Sequence, residues 1–185
     1  FSNDGNIIAI GAESDDSYGT SADSVRVFEK VNGVWNQLGN DINGENAWSR
    51  SGCAVSISND GSVVAIGAYG YNGYTGYVRI YEWNNNWNLI GEIIGYDPDD
   101  NFGFDVSLNA IGDVLVVGSP SSNDAGFQAG EVHVYQRVLG TTNWNQIGSD
   151  IAGDQAGDQC GYSVSISDNG NVIAAGAYNN DGNGN

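Results

Sequence analysis

Short runs in which apolar and polar residues alternate, each ended by Gly, Asn or Asp, fill almost the whole chain. That period of two is the pattern of a half-buried β-strand, and no stretch shows a sustained helical period. Gly52 to Ser58 alternates small or apolar residues with polar ones, and Val63 to Ala68 is a nearly unbroken apolar run. Ser58-Asn59-Asp60-Gly61 between them offers residues that tolerate left-handed backbone, as a tight hairpin needs. The same pattern returns at Gly103 to Ser119 and at Gly161 to Ala177, and a shortened copy opens the chain at Phe1 to Ala12. After each hairpin come a polar loop and a second strand pair: SVRVFEK and VWNQL in the first copy, GYVRIYEW and WNLIGEI in the second. The chain is therefore a repeat protein, with repeats expected at 1–50, 51–101, 102–159 and 160–185.

Four strands in a repeat of roughly 50 residues predict a β-propeller blade, because a solenoid turn would be shorter. The expected fold is all-β: a propeller of four-stranded antiparallel blades, about three of them present, so that the chain reads as part of a larger ring. Strands are predicted at Ser51–Ser58, Ser62–Ala68, Gly76–Trp83 and Trp87–Ile93. Val55, Ile57, Val64, Ile66, Val78 and Ile80 should be buried between blades. Trp35, Trp87 and Trp144 recur at the start of the fourth strand, where a large ring fills space between neighbours.

The net charge of −18 argues against nucleic acid or an anionic membrane surface as partner. No apolar run reaches the ~20 residues of a membrane-spanning helix, so no direct membrane insertion is expected. Cys53 and Cys160 stand at offset positions in repeats two apart, which disfavours a disulfide between them.

Phe102-Gly103, then Val106-Ser107, then Gly118-Ser119-Pro120 resemble the FG-GAP repeat of integrin α-subunit propellers and of bacterial and algal extracellular proteins. Gly67-Ala68, Gly176-Ala177 and Gly11-Ala12 stand where the second element of that repeat belongs, and Ser51-Gly52 and Cys160-Gly161 where the first does. The resemblance implies an extracellular or cell-surface, non-catalytic propeller used for binding or adhesion. It is a departure that the turns Ser58–Gly61, Asn109–Gly112 and Ser167–Gly170 lack the ladder of oxygen ligands found in calcium-binding repeats, and they read as turn formers.

In a four-stranded meander the loops between strands two and three share one face with the links between blades, and most of the acids fall there. Two loops, Gly95–Phe102 and Gly153–Cys160, carry the candidate cation ligands Asp97, Asp99, Asp100, Asp154 and Asp158. Weak Ca²⁺ binding is expected from them, on the order of 10⁻⁴–10⁻³ M. Asp15, Asp16, Trp48, Tyr69, Tyr71, Tyr74, Phe127 and Tyr178 form a candidate ligand face, suited to a protein or carbohydrate. The single histidine, His133, lies between Val132 and Val134 and reads as structural. No Ser/His/Asp set can be assembled from spacing alone. Three functions stay open: a binding or adhesion propeller with no enzymatic activity, a self-associating protomer of an extracellular assembly, and a carbohydrate-active enzyme with paired carboxylates.

Overall fold

The structure is a computed structural model that describes residues 1–13, 23–46 and 48–182. Its strands form four antiparallel sheets in chain order. The first holds β1 (Ile7–Ala12), β2 (Ser24–Val31) and β3 (Val34–Gln37), with the short β4 (Ile42–Asn43) also on β2. The second is the uninterrupted meander β5 (Ala54–Ile57), β6 (Val63–Ala68), β7 (Tyr77–Trp83) and β8 (Trp87–Ile94). The third runs β9 (Asp105–Leu108), β10 (Val114–Ser119), β11 (Glu131–Arg137) and β12 (Trp144–Gln146), with β13 (Ile151–Ala152) on β11. The fourth pairs β14 (Cys160–Ile166) with β15 (Ile173–Ala177). The all-β partial propeller is thus observed, with strand ends within a few residues of expectation. One helical turn, Tyr71–Tyr74, interrupts the polar loop before β7.

The β6 and β7 residues Val64, Ile66, Val78 and Ile80 are buried. Val64 and Ile66 face Val25 and Val27 of the first sheet, whereas Val78 and Ile80 face Val106, Leu115 and Val117 of the third. Val55 and Ile57 are only half-buried, a correction to the expected core. Their strand β5 is the edge of its sheet, so one flank has no hydrogen-bonded neighbour. Adjacent first strands are instead joined by side chains: Ser56 Oγ accepts from Leu108 N at 2.9 Å, and Ser107 Oγ from Ile166 N at 3.3 Å.

The recurring tryptophans sit between blades where a preceding blade is present. Trp87 Nε1 donates to Leu38 O at 2.8 Å, and Trp144 Nε1 to Ile90 O at 3.3 Å. Each ring lies against a glycine of the preceding sheet, Gly39 and Gly91 respectively. Trp35, on the first sheet, is 41% exposed.

The second recurring glycine has a sharper cause. A Cβ on Gly11, Gly67 or Gly118 would overlap the backbone carbonyl oxygen of Gly52, Gly103 or Gly161 in the next sheet. The chain approaches so closely there that only glycine fits. Gly67→Ala should therefore cost about 2–3 kcal/mol of stability through forced separation of the sheets. Urea denaturation checks this, and a loss under about 0.5 kcal/mol would contradict the close approach.

Candidate functional site

Cross-strand register sets the site. On β10 and β11, Ser119 stands opposite Glu131 and Val117 opposite His133, so Glu131 and His133 lie on one face of β11, two residues apart. The matching places in the second sheet hold Ala68, Tyr77 and Arg79, and in the first Ala12, Ser24 and Arg26. Each of these three sheets thus carries a basic side chain at the third of these positions. Each is met by an acid just ahead of the pairing isoleucine: Arg26 by Asp41 at 3.0 Å, Arg79 by Glu92 at 2.6 Å, His133 by Asp150 at 2.6 Å. Glu92 reaches its arginine from a continuous strand. The shorter Asp41 and Asp150 follow one extra residue in the break before β4 and β13.

The third sheet alone departs from this scheme, and it departs three times at one place. Alanine becomes Ser119, arginine becomes His133, and Glu131 appears. His133 Nδ1 lies 2.6 Å from Asp150 Oδ1 and Nε2 lies 3.2 Å from Ser119 Oγ. In the tautomer that donates from Nδ1 to the Asp150 carboxylate, the Nε2 lone pair faces the serine hydroxyl. Glu131 Oε2 is 3.9 Å from Nε2. A Ser/His/Asp arrangement is therefore present, one that the spacing of these residues along the chain does not assemble. Its members lie on β10, on β11 and in the link before β13.

These groups line a recess of about 40 Å³ on the acidic face, closed from the other side by the 95–102 loop with Tyr96, Asp97, Asp100 and Phe102, and by Asp124. Phe102 packs on the imidazole, ring centroids 5.4 Å apart. Glu131, His133 and Asp150 could together hold a metal ion, since one donor atom from each lies within 4.8 Å of the others. Burial, reinforced by Asp97, Asp124 and Asp99, pushes the Asp100 carboxyl up to about 6. Burial and the nearby Asp124 likewise raise Glu131, against the opposing effect of His133.

The other candidate residues are dispersed. Asp99 is exposed in a left-handed conformation, φ 68°. Asp154 is exposed. Asp158 is buried, accepting from Gln155 N and Asn180 Nδ2 at 2.9 Å each. Tyr69 stacks with Tyr74 and touches Phe104, which leads through Tyr162 to Tyr178 in one aromatic row. Tyr71 packs edge-on against Tyr77. Trp48 and Phe127 are exposed and stand apart from this row, and Asp15 and Asp16 lie outside the described residues. Cys53 and Cys160 are free thiols, and burial pushes Cys53 up to about 12.

No family model and no curated protein matches the sequence. Solved structures do. The periplasmic gluconolactonase of Pseudomonas aeruginosa superposes with a TM-score of 0.65 at 11% identity, over 96% of this chain and 49% of that one. Two proteins provisionally named 6-phosphogluconolactonases, from Bacteroides fragilis and Bacteroides uniformis, each give 0.57. Their identities are 17% and 19%, over 83% of this chain and 38% and 39% of theirs. The likeness is one of fold. The chain spans about half or less of each neighbour's length.

These neighbours are lactonase propellers, not integrin-type ones, and with no family model matching they correct the FG-GAP assignment. The physical reason lies in the glycine pairs that carried the resemblance: the contact of Gly67 with Gly103 imposes them, so they mark how blades pack. The expectations of a non-catalytic adhesion or structural module, and of a protein or self-association partner, are corrected by the same neighbours, all three named as enzymes. Among the described residues, no helix is long and apolar enough to cross a membrane.

The raised Asp100 carboxyl has a stability consequence. Its folded value lies above its unfolded one, so the penalty of ionising it is absent below about pH 4 and grows as pH rises through 6. Asp100→Asn should raise the melting temperature at pH 7, by up to about 3 °C given solvent screening, with the gain vanishing at pH 4. Melting curves across that range test it. A gain independent of pH would show that the cost of ionising Asp100 is not the cause.

Proposed function

We propose that the chain is part of a hydrolase acting on an uncharged sugar lactone, with the recess beside His133 as its reaction site. The observation that carries this reading is the concentration of three departures from the repeat, Ser119, Glu131 and His133, at one buried point on the propeller's loop face. A structural strut would have kept arginine there, as the other two sheets do. The names of the neighbours supply the substrate class, and the neighbouring periplasmic enzyme supports a location outside the cytoplasm. We take the repeats 1–50, 51–101, 102–159 and 160–185 as one portion of a single ring, in keeping with the share of each neighbour that the chain spans.

The chemistry is addition of water across a cyclic ester. Water oxygen bonds to the acyl carbon, the ring C–O bond breaks, and the released oxygen takes a proton to leave an open hydroxy acid. Asp100, its carboxyl raised toward neutrality by burial, is suited to accept the proton of the attacking water. Asp97 and Asp124 can accept hydrogen bonds from sugar hydroxyls, and Tyr96 and Phe102 offer ring faces at the same opening. Asp150 fixes the imidazole, whose Nε2 faces the recess. The carboxylates surrounding this one histidine would repel a phosphate, so a neutral lactone should be hydrolysed in preference to its phosphate ester.

The test is hydrolysis of glucono-δ-lactone and of its 6-phosphate, followed by acid release. Wild type should hydrolyse the neutral lactone faster. Asp100→Asn should lower kcat about 100-fold or more. His133→Arg should lower it comparably, while the fold survives because arginine occupies that position twice already. No hydrolysis above the spontaneous rate, or variants as active as wild type, would overturn the reading.

A further inference from the structure

The recess has five carboxylates on its walls and a single group, His133, that can carry positive charge. Glu131 is the unusual member. Its side chain is 8% exposed, and His133 Nε2, 3.9 Å away, stands beyond hydrogen-bonding distance. The Ser122 hydroxyl is close enough to favour its charged form weakly, though not placed for a full hydrogen bond. That hydroxyl is itself buried and makes no hydrogen bond. Buried hydroxyls are normally satisfied, so the unpartnered Ser122 Oγ beside the Glu131 carboxylate points to something held between them.

The imidazole is set up for the same occupant. Asp150 holds Nδ1, which orients the ring, and Nε2 then meets Ser119 Oγ at 3.2 Å with Glu131 Oε2 3.9 Å away. A carboxylate on one imidazole nitrogen and a metal on the other is a recurrent arrangement, in which the carboxylate fixes the tautomer and strengthens the ligand. Two ligands of one zinc ion, each about 2.1 Å from it, stand roughly 3–3.5 Å apart. Nε2 and Glu131 Oε2, at 3.9 Å, need close by only about half an ångström.

We propose that His133 Nε2 and the Glu131 carboxylate hold a divalent first-row transition ion, with Asp150 as the positioning residue. Nitrogen and carboxylate donors together suit Zn²⁺ or Mn²⁺, whereas Ca²⁺ takes oxygens alone. The two sheets that lack the ion's ligands serve as internal controls: arginine at the histidine position supplies a fixed positive charge there, and neither sheet has a glutamate opposite its alanine. The ion's use in polarising a lactone carbonyl rests on the hydrolase reading, but its binding does not.

The experiment is calorimetric titration of chelator-stripped protein with Zn²⁺ alone, with Ca²⁺ as the comparison ion and no sugar present. Wild type should bind one Zn²⁺ per chain, more tightly than Ca²⁺. His133→Arg should weaken this at least 100-fold, and Asp150→Asn by 10–100-fold, on the order seen when a supporting carboxylate is lost. Should His133→Arg fail to fold, Glu131→Ser, which installs the residue of the first sheet, tests the same ligand set. The proposal is overturned if wild type gives no saturable Zn²⁺ heat, if the variants bind as well as wild type, or if Ca²⁺ binds more tightly than Zn²⁺. Lactone hydrolysis in the absence of Zn²⁺ binding would sink this inference and spare the hydrolase. Zn²⁺ bound without hydrolysis would do the reverse.

Discussion

The backbone contact between a strand-two glycine and the glycine opening the next sheet sets how closely the blades sit. Gly11 meets Gly52, Gly67 meets Gly103, and Gly118 meets Gly161, each pair with no room for a side chain. The packing seen elsewhere depends on this spacing. Val64 and Ile66 reach Val25 and Val27, Trp87 and Trp144 reach the carbonyls of Leu38 and Ile90, and Ser56 and Ser107 reach the backbone of the following first strand. Even about half an ångström more would forfeit much of the dispersion energy along each interface.

The same spacing builds the recess. The 95–102 loop leaves the second sheet and turns back at Phe102, whose ring lies on His133 of the third. Backbone bonds hold that loop in place, Gly95 N to Gly76 O at 3.0 Å and Asn101 N to Tyr74 O at 2.8 Å. Asp97 and Asp100 come from one blade and Glu131, His133 and Ser119 from the next, so the site belongs to the junction. Its electrostatics follow from that: carboxylates from two blades converge where solvent is thin, and burial lifts Asp100 and Glu131 together.

Repetition makes function visible. Asp41 on Arg26 and Glu92 on Arg79 show the strut in its purely stabilising form, which joins a permanent cation from the third strand to an acid near the fourth. The third sheet keeps the acid, Asp150, and exchanges the permanent cation for a group that can release its proton. That exchange lies inside a structure otherwise copied from its neighbours, which singles the position out.

Strand period, turn residues and the repeat were legible in the sequence because they express local geometry: alternation records which face is buried, and Asn and Gly record where the backbone turns. The three residues Ser119, His133 and Asp150 were each visible, yet their meeting was not, because pairing register and the break before β13 bring them together across three segments. The glycine pairs were legible as a pattern but not as a cause; only the packed sheets show that a carbonyl oxygen occupies the space of a Cβ. Likewise the aspartates of the 95–102 and 153–160 loops look equivalent in sequence. Tertiary structure separates them, because Asp158 is satisfied by Gln155 and Asn180 while burial and neighbouring acids raise Asp100. Local pattern fixes the strands and turns, whereas the partners of a side chain come from distant parts of the chain and are decided only when the blades close on one another.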